Sequence, residues 1–455
     1  MLSSELYCLN TSSETVELLN ELELHADQLS EVERRSVQLM LKDVRKMQNF
    51  PIDEYVDLQK TMAEADPVWR RAKATSNFAE FAPYLKKIFN GYKKWANYCA
   101  PDMDPYDFWL NQYEAGLDKA QCEAFFSVLR SRIVPLLRRI SACPPIDNCC
   151  MQGQFPRNQQ ERLSQYLMKV LRLDPGHCGI GVTEHPFTTT LGAHFDIRIT
   201  TNYKEHSFAP AMFSVIHEGG HALYGSGVDD RYAYTALDGG ASTSIHESQS
   251  RFYENFIGRS ELFIEYMFPT LQSVFPTQLS GCTAQMLYRA INRVEPSLIR
   301  IEADELTYCL HIMVRYEIEK EIFAGRLEVE DLPKRWNQLY KEYLGIDVPD
   351  DGRGVLQDSH WSHGHIGYFP TYALGSAYAA QTLRKMRQSV DVDECLKTGD
   401  LTPVNQWNRE HIWRHGRLYP PVELMRSVWG AEFDPTVYAD YLEEKFTRLY
   451  GLSTL

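Results

Sequence analysis

From Ser13 to about Ile140 the apolar residues recur at helical spacing. Leu18, Leu19, Leu22 and Leu24 open one stripe, and Val37, Leu39, Met40 and Leu41 open another. Trp69, Phe78, Phe81, Leu85, Ile88 and Phe89 carry the pattern past Pro67, and aromatics on such a face read as helix-bundle core. No repeat of fixed period and no Gly/Ser- or Pro-rich linker interrupts the chain; Pro144-Pro145 and the polar stretch to Arg157 form the clearest loop. The expected fold is mainly α and a single domain over residues 1–455. It divides into an N-terminal helical part (1–140), a central part (180–380) and C-terminal helices (381–455).

One segment departs from the helical period. His194-Phe195-Asp196-Ile197-Arg198-Ile199-Thr200-Thr201 alternates, with Phe195, Ile197 and Ile199 on one face and Asp196, Arg198 and Thr200 on the other. Phe187 to Thr190, rich in Thr, supplies a partner strand across the Gly192 turn. A small antiparallel β-sheet is therefore expected just before residue 210.

Composition narrows the function classes. Lys and Arg number 47 against 61 Asp and Glu, a net charge of −14, which repels phosphates and anionic lipid headgroups and argues against nucleic-acid or membrane-surface partners. The 44% hydrophobic and 24% charged content suits a folded globular chain. No apolar run approaches the roughly 18 residues that cross a bilayer. The first residues lack the basic, apolar and small-residue blocks of a secretory signal. Ten scattered cysteines without a C-x-x-C pair read as reduced thiols, so a cytoplasmic location is expected.

The chemistry concentrates in Phe213-Ser-Val-Ile-His217-Glu218-Gly219-Gly220-His221-Ala-Leu-Tyr224-Gly225. Met212, Phe213, Val215 and Ile216 are apolar, Pro210 suits a first helical turn and Gly225 a stop. On a helix His217 and His221 lie one turn apart on one face, close enough to share a tetrahedral ion. Glu218 lies about 100° around from His217, near such an ion without pointing at it, where a base would take a proton from activated water. Gly219 and Gly220 each cost about 1 kcal/mol relative to Ala in a helix, so a close approach to that helix is expected. A third ligand must come from elsewhere, because Tyr224 and Gly227 stand where an extended motif would carry Gly and His. Ser242 to Phe256 reads as a capped helix, and its Glu247 could complete a His/His/Glu site or could merely pair with Arg251 four residues on. Spacing leaves both open, with Glu254 the next candidate ligand.

These residues resemble the thermostable-carboxypeptidase-1-like metallocarboxypeptidases. The family's H-P-F stands at His185-Pro186-Phe187, its D-x-R-x-T at Asp196, Arg198 and Thr200, and its H-E-x-x-H at His217 to His221. Its H-E-S-Q stands at His246 to Gln249, its I-R-x-x-A-D at Ile299 to Asp304 and its G-x-x-Q at Gly354 to Gln357. The stretch from Tyr441 to Gly451 also looks like the family's ending, whereas the family's first helices with their Trp-Asp-rich segment are not matched. The resemblance implies a large helical saddle- or boat-shaped homodimer with a deep cleft, a small sheet beside the zinc helix and one Zn2+ per chain, Co2+ being a substitute. It further implies that His217, His221 and Glu247 are the metal ligands and Glu218 the general base.

A carboxypeptidase must also hold a free α-carboxylate. Arg300 is the candidate, since guanidinium binds carboxylate through two parallel hydrogen bonds; its bland alternative is an ion pair with Glu302, Asp304 or Glu305, and Arg353 is the reserve. In the donor-rich segment from Gln357 to Tyr372, His360 and Tyr372 are the candidates for steadying an oxyanion, and a second metal site of His360, His363 and His365 is disfavoured. The expected function is zinc-dependent release of single C-terminal residues from peptides. The alternatives are an oligopeptidase or endopeptidase with the same zinc helix, and a non-enzymatic peptide-binding scaffold.

Overall fold

The computed structural model describes residues 2–453. It divides into two compact units, each assembled from separate stretches of chain. The first comprises the residues up to Leu137 with Pro296–Ala303 and Thr307–Tyr372; the second comprises Arg138–Glu295, Asp304–Leu306 and the residues from Ala373 onward.

The first unit is helical, as its periodicity requires. It begins with α1 (Leu2–Asn10), α2 (Ser13–Leu24), α3 (Glu31–Gln48), α4 (Ile52–Thr75), α5 (Phe78–Cys99) and α6 (Pro105–Tyr113), and α7 (Lys119–Ser141) leads out of it. Local chemistry sets the ends: Ser30 and Glu33 form a capping box on α3, Asp104 caps α6, and Ser76 in a left-handed conformation stops α4. Trp69, Phe78, Phe81, Leu85, Ile88 and Phe89 are all buried, so the expected aromatic core is present. Phe50 stacks on Trp95 at 4.9 Å, and Trp95 meets Trp109 edge-on at 5.3 Å. The Leu stripe of α2 is only half buried. Leu19 packs with Val37, Leu41 and Val44, while Leu18 and Leu24 stay exposed because a two-helix hairpin covers one side of α2 alone.

One carboxylate in this unit is fully enclosed. Glu319, on a helix running Tyr308–Phe323, is 0% exposed and accepts hydrogen bonds from Tyr106 Oη (2.9 Å), Trp361 Nε1 (2.7 Å) and Gly367 N (2.9 Å). Burial outweighs these donors and pushes its carboxyl up to about 7. A carboxyl raised above its unfolded value near 4.3 binds more protons folded than unfolded between those two values. Its contribution to stability is therefore present below about pH 4.3 and is lost as pH rises toward 7, by at most about 1.4 kcal/mol per pH unit. The stability gap between wild type and Glu319→Gln should shrink from pH 5 to pH 7 in denaturant titrations. A pH-independent gap would show that the carboxyl is already ionised at pH 5.

The second unit holds the H-E-x-x-H segment. Helix α8 (Arg157–Leu171) precedes three strands, β1 (Cys178–Val182), β2 (Thr188–Thr190) and β3 (Ile197–Thr201), in the spatial order β1-β3-β2. The expected antiparallel pair is present, with Thr188 opposite Ile199 and Thr190 opposite Ile197. The sheet as a whole is mixed and not antiparallel, because β1 joins β3 in parallel, Cys178 opposite Ile197 and Val182 opposite Thr201. Glycines leave β1 without alternation, and at Gly179 the Arg198 side chain lies 3.1–3.3 Å from where a Cβ would stand. His194, Phe195 and Asp196 precede β3 in a turn, so Phe195 is half-buried off the strand while Ile197 and Ile199 are buried. Among the described residues, no helix is long and apolar enough to cross a membrane.

Candidate active site

The helix α9 (Ala209–Ser226) begins with Pro210 in its first turn and carries the H-E-x-x-H residues. It packs on β3 so closely that a Cβ on Gly225 would come within 2.9 Å of Ile197 Cδ1. Its inner glycines answer to two further neighbours. A Cβ on Gly219 would meet Leu171 Cδ1 at 2.5 Å, and one on Gly220 would meet the Gln249 carbonyl oxygen at 2.6 Å and Ser250 Cα at 2.8 Å. Gln249 and Ser250 belong to α10 (Thr243–Arg251), capped by Ser242, so Gly220 sets the spacing between the two helices. Gly220→Ala should cost about 1–3 kcal/mol by overpacking against backbone that cannot yield. Denaturant midpoints check this; an unchanged midpoint would mean that α10 can retreat freely.

That spacing brings Glu247 to the histidines. Glu247 Oε2 lies 3.8 Å from His217 Nε2 and 3.5 Å from His221 Nε2, and the two rings meet edge-on with centroids 5.0 Å apart. Among the described residues these three form the one group of His, Cys, Asp or Glu side chains gathered closely enough to hold an ion, their ligand atoms all within 4.8 Å. The three histidines at 360, 363 and 365 do not form such a group. The pairing with Arg251 is present as well, because Glu247 Oε1 accepts from Arg251 Nε at 2.7 Å. One oxygen thus pairs with Arg251 while the other faces the two histidines. Gly375 lets Glu247 pack tightly, since a Cβ there would sit 2.7 Å from Glu247 Cγ.

The other ring nitrogens are engaged. His217 Nδ1 donates to Glu254 Oε2 at 2.9 Å, which turns Nε2 toward Glu247. His221 Nδ1 meets His246 Nδ1 at 2.7 Å. Burial, followed by His221, pulls His246 down to about 3. Burial acts to lower His217, but Glu247 and Glu254 outweigh it and leave it raised. Burial would raise Glu247 and Glu254, yet Arg251 together with the histidines holds both carboxyls well below the usual range. Two imidazole Nε2 atoms and one ionised carboxylate are a donor set suited to zinc, with a coordination position left for water or substrate. Glu254, the reserve ligand, is not in this set and instead orients His217.

Glu218, next to His217 in the chain, is buried and is not in that gathered set. Thr188 Oγ1, on the edge strand β2, donates to Glu218 Oε2 at 2.6 Å, which leaves Oε1 for other work. Thr188 was not apparent as a site residue; only its place in a Thr run beside the expected sheet pointed to it.

The remaining candidates lie in the first unit. Arg300 is buried and forms its ion pair with Asp358, through Nε (3.1 Å) and Nη2 (2.9 Å) to Oδ1, and not with Glu302, Asp304 or Glu305. Its Nη1 donates to Tyr308 Oη at 3.1 Å, and its guanidinium carbon lies 5.0 Å from the centre of the Tyr372 ring. Arg315 takes the other oxygen of Asp358. Arg353 pairs with Asp350 near the surface. His360 Nε2 and Tyr372 Oη are 3.2 Å apart, and burial pulls His360 down to about 3.

Comparison with known proteins gives a consistent result. A family model described as carboxypeptidase Taq (M32) metallopeptidase matches residues 1–446. Carboxypeptidase 1 of Bacillus subtilis (strain 168) is 39% identical over 453 residues, covering 99% of this chain and 90% of the relative. Thermostable carboxypeptidase 1 of Pyrococcus furiosus is 36% identical over 424 residues, covering 92% and 85%. Among solved structures, the M32 carboxypeptidase from Deinococcus radiodurans R1 superposes with a TM-score of 0.95 at 34% identity, covering 99% of this chain and 91% of that one.

Proposed function

The chain belongs to the carboxypeptidase Taq (M32) metallopeptidase family, and on that premise we propose that it is a zinc-dependent carboxypeptidase releasing single residues from free peptide C-termini. The observation that carries this reading is the convergence of His217 Nε2, His221 Nε2 and Glu247 Oε2 beside a buried Glu218 that ligates nothing. His217, His221 and Glu247 would hold one Zn2+ per chain, and Co2+ has the same donor preferences. When bound, such an ion acidifies water and polarises the scissile carbonyl. Glu218 accepts the water's proton at the oxygen not held by Thr188 and delivers it to the leaving amine, so one carboxyl serves both half-reactions. Arg300 pairs with the substrate's α-carboxylate, and His360 with Tyr372 steadies the oxyanion. The chain acts as a single peptidase domain, forms a homodimer and works in the cytoplasm.

Metal removal tests the reading. Dialysis against a chelator should abolish peptide hydrolysis, and one equivalent of zinc or cobalt per chain should restore it. Hydrolysis that survives complete removal of divalent ions would refute it. The carboxylate role has its own test. Arg300→Ala should lower kcat/KM for free-ended peptides by about 2–5 kcal/mol and narrow the preference for free over amidated C-termini. Arg315 still neutralises Asp358, so this variant is expected to fold. A variant that discriminates as strongly as wild type would make Arg300 purely structural.

A further inference from the structure

The segment after α10 is wound differently from the rest of the molecule. Phe252–Gly258 forms a π-helical turn in which every residue is buried, and its hydrogen bonding includes Arg259 N to Glu254 O at 3.0 Å, a five-residue step. Such turns are rare and stay where something needs them. In an α-helix, at 3.6 residues per turn, residues five apart point roughly 140° away from each other and cannot meet. Here Arg259 Nη2 reaches Glu254 Oε1 at 3.1 Å. Arg251 Nη1 reaches Glu254 Oε2 at 3.2 Å, and that same oxygen takes the His217 Nδ1 proton at 2.9 Å. Both oxygens of Glu254 are therefore fixed before any ion arrives. Arg251 also grips the outer oxygen of Glu247. Arg259 is itself anchored, donating to the Ile291 carbonyl at 3.2 Å and lying 3.9 Å from the centre of the Phe213 ring on α9.

We propose that Glu254 is a positioning residue of the metal centre, held by Arg251 and, through the π-helical turn, by Arg259, and that it fixes the His217 ring with Nε2 directed at the ion. The two histidines are supported unequally, since His217 leans on a carboxylate and His221 on another imidazole. A carboxylate behind a ligating imidazole fixes its tautomer and raises its basicity. Loss of Glu254 thus frees the ring to turn and lowers its donor strength, and it also leaves Arg259 without its acid. The inference rests on His217, His221 and Glu247 forming the metal site.

Zinc affinity, measured by competition with a chromophoric chelator on metal-free protein, reads this without reference to turnover. Glu254→Ala should bind zinc 10–100-fold more weakly than wild type. Glu254→Gln keeps an acceptor but loses the charge, and should fall between the two. The visible absorption of the cobalt-loaded protein should shift in both variants, because the ligand field reports the donor strength of His217. Thermal melts establish folding; should Glu254→Ala not fold, the affinity and cobalt spectrum of Glu254→Gln decide the matter. Zinc affinity within twofold of wild type together with an unchanged cobalt spectrum would overturn the inference. Wild-type protein that binds no zinc would instead overturn the metal-site reading beneath it.

Discussion

Glu218→Gln is expected to retain its zinc and lose peptide hydrolysis by about 10²–10⁴-fold, the range assigned to a positioned general acid–base group. The substitution keeps the side chain's size and still offers an oxygen to Thr188 Oγ1, so the position beside the ligands is preserved. It removes the ability to take a proton. Glu218 is buried on α9, and its neighbours Glu247 and Glu254 are both committed to Arg251 and the histidines. Metal analysis beside steady-state kinetics separates the two parts of the expectation. Wild-type turnover in a zinc-loaded Glu218→Gln protein would remove proton transfer by Glu218 from the mechanism. Loss of zinc along with activity would mean instead that Glu218 shapes the site.

Glu247→Ala should have the larger effect on metal content. It removes the carboxylate of the proposed donor set, leaving two imidazoles where three donors are gathered among the described residues. It also deprives the buried Arg251 of one of its acids and opens a void against Gly375. Both consequences act on the same few ångströms, so the loss of zinc affinity should exceed the roughly 10–100-fold typical of a supporting residue. Zinc titration of metal-free Glu247→Ala protein measures it. Full retention of zinc and of activity would take Glu247 out of the site and point to Glu254 as the ligand.

The metal helix was legible because its chemistry is local. His221 follows His217 by four positions, Pro210 marks the first turn, and two glycines inside the helix announced close neighbours, which prove to be the Leu171 side chain for Gly219 and the backbone of α10 for Gly220. The aromatic positions from Trp69 to Phe89 were legible as core for the same reason, since helical periodicity is a local signal. Contacts made across long stretches of chain were not. Asp358 neutralises Arg300 from 58 positions away, while the acids adjacent in sequence are not its partners. Strand β1 carries no such signal, because Gly179 and Gly181 leave no alternation of apolar and polar side chains to detect. Spacing framed Glu247 as either a ligand or a partner of Arg251. A carboxylate has two oxygens, and here one pairs with Arg251 while the other faces the two histidines.

The central claim is exopeptidase action from the C-terminus, and product mass spectrometry addresses it most directly. A short peptide with a free C-terminus and its C-terminally amidated twin are digested by zinc-loaded protein, and products are followed in time. The account predicts a ladder of masses falling one residue at a time from the C-terminal end of the free peptide, with the amidated twin left essentially intact. Internal fragments from both peptides at similar rates would contradict it and establish an endopeptidase.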